Sequence, residues 1–515
     1  MSERFSLVDE PWIPCLTSNG DVKDLCLKDV FLSAEGLIDI VDPSPLVKAS
    51  LFRLILAIHL RSTGDMNTSI KTKMWERRNL GAENVTKYLE RWSSRFDLLD
   101  IERPFYQVPG FETETPHPIH KLALERSAGN NKILFDHRMD DEPESVDLAE
   151  AARMLVTVQS YALGGGRSAT VNLTHSPLIG KELVTIKGTN LLETILLNSV
   201  EYDPKYPMRP LSNERPSEST DIPYWEVNEP EKPGEARSPR GYLDYLTWQS
   251  RAVRLINDPD GIRWTYFAQG TQLIMTEGPY DPMVPCRIDK DGAWKAVGLD
   301  ASKEPWRGLS SLIQLQSNNN RPPKTMDDAT QLLLEGTIEE GLDSNLTVIG
   351  LVNNQANVSI WRESTMPLPL RYLRDRQTVV WIERALNMAE SRASVLNAAL
   401  WVYAKQILSP SNGNADAGAT KNLMSSMDGL SRYWGELERP FYELVEDMAA
   451  SVEPFPSKEL KEWSEELSRR ARRALNIALD SRESNARTLK AGACARSLFE
   501  MKTKKKALEE GESLS

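Results

Sequence analysis

Residues 379–408, VVWIERALNMAESRASVLNAALWVYAKQIL, carry apolar side chains at spacings of three and four residues. This period places them on one face of an α-helix, and Ser409-Pro410 ends the pattern because proline disfavours helical backbone in the residue before it. Further amphipathic segments follow at about residues 421–448, from Ser457 onward and at about residues 486–508. We expect Pro440 to kink the second helix. Four amphipathic helices with short connections predict a C-terminal four-helix bundle over residues 370–515.

Residues 1–366 mix the sequence patterns of strands and helices. Asn19-Gly20 is typical of a hairpin turn and separates two apolar segments within residues 5–30. Ser44-Pro45 predicts the start of a helix, because proline is favoured at the first helical position. The pattern changes after Pro367-Leu368-Pro369, which we take as the domain boundary. The predicted fold class is therefore α+β, with a large mixed N-terminal domain over residues 1–366 followed by the bundle.

The composition is typical of a folded protein of the cytoplasm. Of 515 residues, 40% are hydrophobic and 26% are charged. The four cysteines form no C-x-x-C pair, which argues against a disulfide framework and against a cysteine zinc site. No signal-peptide pattern occurs at the N-terminus, and the longest apolar run is broken by Arg53 and His59. We therefore expect a cytoplasmic protein with no membrane contact and no metal or other cofactor.

The charge is distributed unevenly along the chain. Residues 1–370 carry 53 acidic and 39 basic side chains, whereas the residues from Arg371 onward carry 21 and 23. A protein that coats DNA without sequence preference usually has the opposite balance, because phosphate neutralisation supplies most of its affinity. Any nucleic acid is therefore expected to be bound locally or with the help of partners. An ordinary acidic surface explains the charge equally well.

Motifs of catalytic chemistry are absent from the sequence. Gly164-Gly165-Gly166 lacks the spacing of a phosphate-binding P-loop, and no H-E-x-x-H, G-x-S-x-G or G-x-G-x-x-G motif occurs. The most enzyme-like segment is residues 137–142, His-Arg-Met-Asp-Asp-Glu, whose carboxylates could bind a metal for phosphodiester hydrolysis. Consecutive acidic residues are more often a solvated loop, so a metal-dependent nuclease is kept as an alternative.

The three consecutive glycines follow a predicted helix over residues 146–163. One interpretation is a helix C-cap, for which a single glycine in the left-handed region is sufficient. Three glycines in a row add conformational entropy without improving the cap, but they let the backbone approach a bulky partner such as a DNA groove. Arg167 follows with a charge suited to phosphate. Both interpretations remain open at this point.

Residues 353–357, Asn-Asn-Gln-Ala-Asn, follow the apolar segment 348–351. Asn and Gln offer a donor and an acceptor together, which suits the edges of bases, and a planar amide can wedge against a base pair. A polar turn between two strands is the alternative interpretation.

Several segments together resemble a known family. Residues 5–14, Phe-Ser-Leu-Val-Asp-Glu-Pro-Trp-Ile-Pro, resemble the N-terminal signature of the large subunit of the type I-E CRISPR Cascade surveillance complex, the CasA family. Further matches follow in the family's order at residues 103–107, 164–166, 241–249, 285–286 and 353–356. The resemblance covers the whole length of the chain, including the C-terminal helices.

The resemblance implies a noncatalytic subunit that reads the protospacer-adjacent motif (PAM) of double-stranded target DNA, largely from the minor groove. Such a subunit starts strand separation and helps to recruit a helicase-nuclease. By position, Gly164, Gly165 and Gly166 with Arg167 would form the loop that lies against the motif. Asn354 would contact the motif, and Gln355, next to Ala356, would be the wedge that splits the first base pair.

The resemblance also implies a loop that meets the 5′ handle of the CRISPR RNA, and Phe135, Asp136 and His137 are its counterpart. Some relatives carry a basic residue on the strand before Pro285, but residues 269–271 contain no lysine, so we expect a different motif preference. The four-cysteine zinc insertion of some relatives is absent from the sequence. The implied partners are CRISPR RNA, the other Cascade subunits, target DNA and the helicase-nuclease.

One basic run stands in the third predicted helix. It consists of Arg469, Arg470, Arg472 and Arg473. These side chains could guide the displaced DNA strand or dock another subunit, and a solvated helix face is an equal alternative. A pure scaffold, whose bundle only bridges neighbouring subunits, is a further alternative for the whole protein.

Overall fold

The computed structural model describes residues 4–64, 66–126, 142–167, 171–201, 221–275, 281–314, 317, 319–354, 357–375, 378–409, 415–451, 453 and 455–514. The chain divides into two compact units. Unit 1 comprises Met1–Pro305 and Gln314–Arg374, and unit 2 comprises Trp306–Ile313 and Asp375–Ser515. Unit 1 mixes helices with sheets and unit 2 is helical, so the predicted α+β class is confirmed.

The helices are numbered along the chain. They are α1 (Leu27–Leu32), α2 (Pro45–Thr63), α3 (Thr68–Glu76), α4 (Ala82–Arg91), α5 (Leu148–Ser160), α6 (Leu191–Asn198), α7 (Tyr242–Leu246), α8 (Leu309–Ile313), α9 (Lys324–Leu334), α10 (Arg371–Arg374), α11 (Val379–Leu408), α12 (Ala417–Ser425), α13 (Gly429–Gly435), α14 (Glu438–Ala450), α15 (Ser457–Asp480) and α16 (Ala486–Leu514). Helices α8 and α11 to α16 belong to unit 2. Among the described residues, every helix is too short or too polar to cross a membrane.

The strands all belong to unit 1. They are β1 (Ile13–Thr17), β2 (Val22–Leu25), β3 (Leu37–Ile40), β4 (His117–Pro118), β5 (Leu183–Lys187), β6 (Ala236–Arg237), β7 (Arg251–Asp258), β8 (Gly261–Gln269), β9 (Gln272–Leu273), β10 (Cys286–Ile288), β11 (Trp294–Ala296), β12 (Asn320–Arg321), β13 (Asn345–Asn354) and β14 (Asn357–Pro367). The three-stranded sheets have the orders β2-β1-β3, β4-β8-β7, β11-β10-β12 and β14-β13-β5, and β6 pairs with β9.

The N-terminal hairpin is confirmed. Strands β1 and β2 pair antiparallel, with Ile13 opposite Leu25. Gly20 has a φ of +87°, which is the left-handed backbone that this turn requires and that glycine adopts without strain. Trp12 is fully buried, and its indole Nε1 donates to the Leu7 carbonyl at 3.0 Å. The hairpin is thereby fixed to the core of unit 1.

Helix α2 begins at Pro45, as predicted, and is buried along most of its length. The two polar residues that interrupt its apolar run have partners inside the protein. Arg53 donates to Asp281 at 2.6 Å, and His59 Nδ1 lies 3.2 Å from the Ser199 hydroxyl. With one partner each for these two side chains, α2 lies inside unit 1 and packs against α4, α5 and α7.

The predicted helix over about residues 421–448 is wrong as a single element. The chain forms α12, α13 and α14 there, with a break at Asp428, whose φ is +53°. Gly429 follows, and a Cβ on it would lie 2.9 Å from Leu400 Cδ1 of α11, so the break lets the backbone approach α11 closely. Pro440 lies in the first turn of α14, where its missing N–H breaks no helical hydrogen bond, and it does not kink the helix. The simple four-helix bundle is therefore not confirmed, although α11 and the start of α15 at Ser457 are as predicted.

Candidate nucleic-acid interface

Helix α5 ends before the glycines are reached. It begins after Asp147, whose side chain accepts from the Glu150 N–H at 2.7 Å, and it ends at Ser160. Tyr161 then turns to an extended backbone, its N–H donates to the Thr157 carbonyl at 2.8 Å, and its side chain is fully buried. The prediction that this helix runs to residue 163 and stops at the glycines is therefore wrong, because burial of the Tyr161 ring takes the chain out of the helix. The three glycines are not a C-cap.

Residues 162–167 and 171–176 lie side by side, and we call these two segments together the glycine loop. Its two sides are joined by backbone hydrogen bonds, from Ser176 N to Ala162 O (2.9 Å), from Gly165 N to Leu173 O (2.9 Å) and from Leu173 N to Gly166 O (3.2 Å). Arg167 faces Asn172 in an isolated antiparallel bridge, and residues 168–170 lie outside the described residues. The loop thus has a defined backbone up to Arg167, which is exposed.

The three glycines meet different requirements of the loop. A Cβ on the buried Gly164 would lie 2.9 Å from the backbone of both Thr174 and His175, so a side chain there would push the two sides apart. Gly165 and Gly166 are exposed and have φ values of +107° and +77°, which L side chains rarely adopt. A Cβ on Gly166 would meet nothing within 4 Å. The loop therefore presents two exposed residues without side chains above a tightly packed base.

The base of the glycine loop rests on Arg251, the first residue of β7. Arg251 is fully buried, and its Nη2 donates to the carbonyls of Ala162 (3.2 Å), Leu163 (3.0 Å) and Thr174 (2.7 Å). These acceptors come from both sides of the loop. Arg251 was not predicted from the sequence, because no residue near position 251 points to an element about 90 residues earlier in the chain.

Two further side chains hold the returning side of the glycine loop. Gln269 at the end of β8 is fully buried, accepts from Thr174 N at 2.7 Å and donates to the Ser250 carbonyl at 3.2 Å. His175 Nδ1 accepts from Gly164 N at 2.9 Å, and burial together with the charge of Arg251 lowers the pKa of His175. The side chain of Gln269 therefore supports the loop from inside.

The amide-rich segment lies at the end of a β-ribbon. Strands β13 and β14 pair from Asn345 opposite Pro367 to Asn354 opposite Asn357, whereas β5 pairs only with the first half of β13, up to Ile349. The second half therefore continues as a two-stranded ribbon. Asn354 and Asn357 are exposed at its last pair, and Gln355 and Ala356 lie outside the described residues. The wedge and the polar turn both stay predictions.

The ribbon is fixed to unit 1 at its base. Leu351 is buried, Lys48 of α2 forms an ion pair with Glu363, and Arg362 pairs with Glu304 at 2.8 Å. A bulge after Val352 changes the register towards the end of the ribbon. Bulges of this kind re-aim the residues that follow them. The ribbon thus carries polar amides on a support that is held by packing and by charge.

The glycine loop and the ribbon are connected through one sheet. The chain leaves the loop at Ser176 and enters β5 at Leu183, and β5 pairs with β13, the strand that ends at Asn354. Among the described residues, no backbone hydrogen bond joins Asn354 to the glycine loop. The structure therefore links the two predicted DNA-contacting segments through the scaffold.

The basic run on α15 is compensated by glutamates of unit 2. Arg469 and Arg470 pair with Glu466, Arg472 forms two hydrogen bonds with Glu500 at 2.7 and 2.9 Å, and Arg473 lies 3.9 Å from Glu436. Each arginine thus has a carboxylate neighbour. This arrangement is typical of a solvated helix face.

Residues 127–141 lie outside the described residues. The predictions for Phe135, Asp136 and His137, and for the nuclease alternative at residues 137–142, therefore stay predictions. Within the part of the chain that the structure describes, no three His, Cys, Asp or Glu side chains are grouped as metal ligands.

Comparison with known proteins gives consistent matches over almost the whole chain. The family model of CRISPR-associated protein Cse1 matches residues 6–474. A curated CRISPR-associated protein CasA/Cse1 from Thermus thermophilus is 31% identical over 509 residues, which is 95% of each chain.

Solved structures show the same fold. The structure of Thermus thermophilus CasA (Cse1) is similar to this chain with a TM-score of 0.81 and 27% identity, over 98% of this chain and 100% of that one. A chain of a solved CRISPR RNA-guided surveillance complex has a TM-score of 0.76 and 23% identity, over 96% and 99% of the two chains.

Proposed function

The chain belongs to the CRISPR-associated Cse1 family, and from this premise we propose that it is the noncatalytic large subunit of a type I-E Cascade complex that reads the PAM of double-stranded target DNA. It opens the first base pairs beside the motif, so that the CRISPR RNA can pair with the target strand. It also takes part in recruiting the helicase-nuclease.

The observation that carries this proposal is the glycine loop. Gly165 and Gly166 are exposed and lack side chains, and the loop beneath them is held by Arg251, Gln269 and His175. A groove edge can approach such a surface closely because no Cβ intervenes. A rigid support matters equally, since contacts that discriminate between bases depend on sub-ångström positioning.

The ribbon supplies the second part of the proposed site. Asn354 and Asn357 offer amide donors and acceptors for base edges, and Gln355 between them acts as the wedge. A side chain that is inserted to open a base pair is under load, because the bases tend to pair again. The ion pair between Lys48 and Glu363 and the burial of Leu351 support the ribbon against that load.

The acidic balance of the chain agrees with this role. An RNA-guided complex delegates the sequence search to base pairing, so the protein reads only a short motif through a few positioned residues. Arg167 supplies a phosphate contact, and residues 135–137 meet the 5′ handle of the CRISPR RNA. The other Cascade subunits supply the remaining positive charge.

The test is DNA binding by the complex assembled with its CRISPR RNA and its other subunits. The complete complex should bind a motif-bearing duplex at least about tenfold more tightly than the same duplex with an altered motif. The chain alone should bind both weakly and with steep salt dependence. Equal affinity of the complete complex for the two duplexes would reject motif reading. Cleavage of labelled duplex by the purified chain with Mg²⁺ or Mn²⁺ would instead favour the nuclease alternative.

A further inference from the structure

We infer that Arg251 is a positioning residue for PAM reading: it holds the two sides of the glycine loop together from below and never touches DNA itself. This inference rests on the proposed function. It assigns a role to a residue that lies outside every motif singled out in the sequence.

Arg251 binds the loop where its two sides converge. Its Nη2 donates to the carbonyls of Ala162 and Leu163 on the outgoing side and to Thr174 on the returning side. Its Nη1 donates to the Ser250 carbonyl at 2.8 Å. Carbonyl oxygens that point at one place repel one another, and a shared donor offsets this repulsion where they are cut off from water. A guanidinium supplies several N–H groups in a fixed plane, which a neutral side chain of similar size does not.

Comparison with the other fully buried arginines shows that Arg251 is unusual. Arg53 pairs with Asp281 at 2.6 Å, and Arg392 pairs with Glu510 at 3.1 Å. Among the described residues, no carboxylate lies within ion-pair distance of Arg251, and its Nε has no hydrogen-bond partner. Burial of this unpaired charge lowers the pKa of Arg251 to about 9. The Phe267 ring, whose centroid lies 5.9 Å from the guanidinium carbon, offsets this burial only weakly.

A buried arginine without a carboxylate is costly for the fold, because an unpaired charge loses its hydration and gains no ionic partner. Hydrogen bonds to the carbonyls that the guanidinium binds supply most of the compensating free energy. All of these except Ser250 belong to the glycine loop. The Arg251 side chain therefore stabilises the glycine loop and not the sheet to which its backbone belongs.

The backbone of Arg251 is itself fixed, so it can act as a reference point for the loop. Its N–H donates to Gln159 Oε1 at 2.9 Å, and its carbonyl accepts from Gln159 Nε2 at 3.2 Å, which ties the start of β7 to α5. A Cβ on Gly270 would lie 2.5 Å from the Gln249 carbonyl and 2.7 Å from Arg251 N. The glycine therefore lets the end of β8 close over Arg251.

The consequence for function follows from this geometry. Without the guanidinium, the carbonyls of Leu163 and Thr174 lose this donor, and the Ala162 carbonyl keeps only its bond from Ser176 N. The two sides of the loop then separate at the level of Gly164. Gly165 and Gly166 then no longer present one defined surface to the groove. The ribbon with Asn354 stands on a different support, so it keeps its own geometry.

The experiment compares Arg251→Met and Arg251→Lys with a control on the same strand, Arg254→Met. Arg254 is partly exposed and pairs with Glu112 at 2.9 Å, away from the glycine loop. Each variant is assembled into the complete complex, and incorporation and thermal unfolding are measured first. Affinity is then measured for a duplex with the motif, for the same duplex with an altered motif, and for a target pre-opened beside the motif.

We expect Arg251→Met to reduce the ratio of the first two affinities by about tenfold or more, while binding to the pre-opened target stays within about twofold of the unchanged complex. Arg251→Lys keeps a charge and some donors, so its affinity ratio should fall between those of Arg251→Met and of the unchanged complex. Arg254→Met should change neither the affinity ratio nor binding to the pre-opened target. If Arg251→Met does not assemble, Arg251→Lys alone carries the test.

Three outcomes would overturn the inference. An unchanged affinity ratio in the assembled Arg251 variants shows that motif reading does not depend on this residue. Equal losses on paired and pre-opened targets show a merely structural role, as does failure of both variants to assemble. If the unchanged complex does not distinguish the two duplexes, the proposed function itself fails, which is a different result from failure of Arg251 alone.

Discussion

The arginine beneath the glycine loop in unit 1 and the arginines of the basic run on α15 in unit 2 differ in their exposure and in their charged neighbours. The four arginines of the run are partly or largely exposed, yet each has a glutamate neighbour. Arg251 beneath the loop is fully buried, and among the described residues its guanidinium donates hydrogen bonds only to carbonyls. A count of basic residues would favour the run as the DNA contact. The neighbouring glutamates reduce the net positive charge that the run presents, so a count of basic residues does not by itself identify the DNA contact.

The largest effect is expected at the end of the ribbon. Gln355→Ala should slow formation of the RNA–DNA hybrid on linear, fully paired DNA by about tenfold or more, because a methyl group cannot replace the stacking lost when a base pair opens. The defect should shrink on negatively supercoiled DNA or on a target pre-opened beside the motif. The test measures hybrid formation on the fully paired and on the pre-opened target. Equal defects on the two targets would show that Gln355 is only a turn residue.

The second prediction separates backbone strain from close approach at Gly166. Gly166→Asn tolerates left-handed backbone, whereas Gly166→Val does not, and both add a Cβ at an exposed position. If the groove approaches this residue, both variants should weaken motif binding several-fold, and only Gly166→Val should also lower the thermal stability of the protein. Motif binding and thermal unfolding are measured on the same preparations. Unchanged DNA binding by Gly166→Asn would mean that glycine is needed here for the fold alone.

The third prediction concerns pH and the support of the loop. Neutral His175 accepts the Gly164 N–H, and burial together with Arg251 lowers the pKa of His175, so this bond is intact above about pH 6.5 and is lost as the pH falls below that value. Motif binding should decline over this window. His175→Asn, which keeps an acceptor but does not titrate, should flatten the decline. A decline of the same size in both proteins would show that His175 is not its cause.

That measurement needs a check on global stability, because the pKa of another histidine changes when the protein folds. Burial lowers the pKa of His59 to about 4. The unfolded chain therefore binds more protons than the folded one between about pH 6.5 and 4, and the protein loses stability as the pH falls through this range. Thermal unfolding at each pH shows how much of the protein remains folded while DNA binding is measured.

The smallest effect is expected at the basic run, and it gives the most direct test of the comparison between the two regions. The double variant Arg469→Gln and Arg473→Gln should change DNA affinity by less than about twofold, because both charges are compensated by Glu466 and Glu436. The matched control is Arg167→Gln in the exposed part of the glycine loop. It should weaken binding to all sequences and reduce the salt slope by about 1. If the double variant weakens DNA binding more than Arg167→Gln does, the basic run and not the glycine loop is the main phosphate contact.

Local patterns in the sequence were sufficient for several of the regular elements. The apolar period determined the bounds of α11, Ser457 marked the start of α15, and Asn19-Gly20 marked the first hairpin. These features depend on neighbours within a few residues, where helix period and turn geometry act directly. The resemblance to the CasA family also came from the sequence, because it rests on the order of short motifs along the chain.

The tertiary structure alone decided the support of the candidate site. The end of α5 at Ser160 follows from burial of Tyr161, and the inward position of Gln269 follows from its bond to Thr174. The contact of Arg251 with the glycine loop joins residues that are 77 to 89 positions apart. Compensation of the α15 arginines likewise comes in part from Glu436 and Glu500, which lie outside that helix. Such contacts leave no local signal, because the energy of a buried donor or a paired charge depends on which distant groups the fold brings within hydrogen-bond distance.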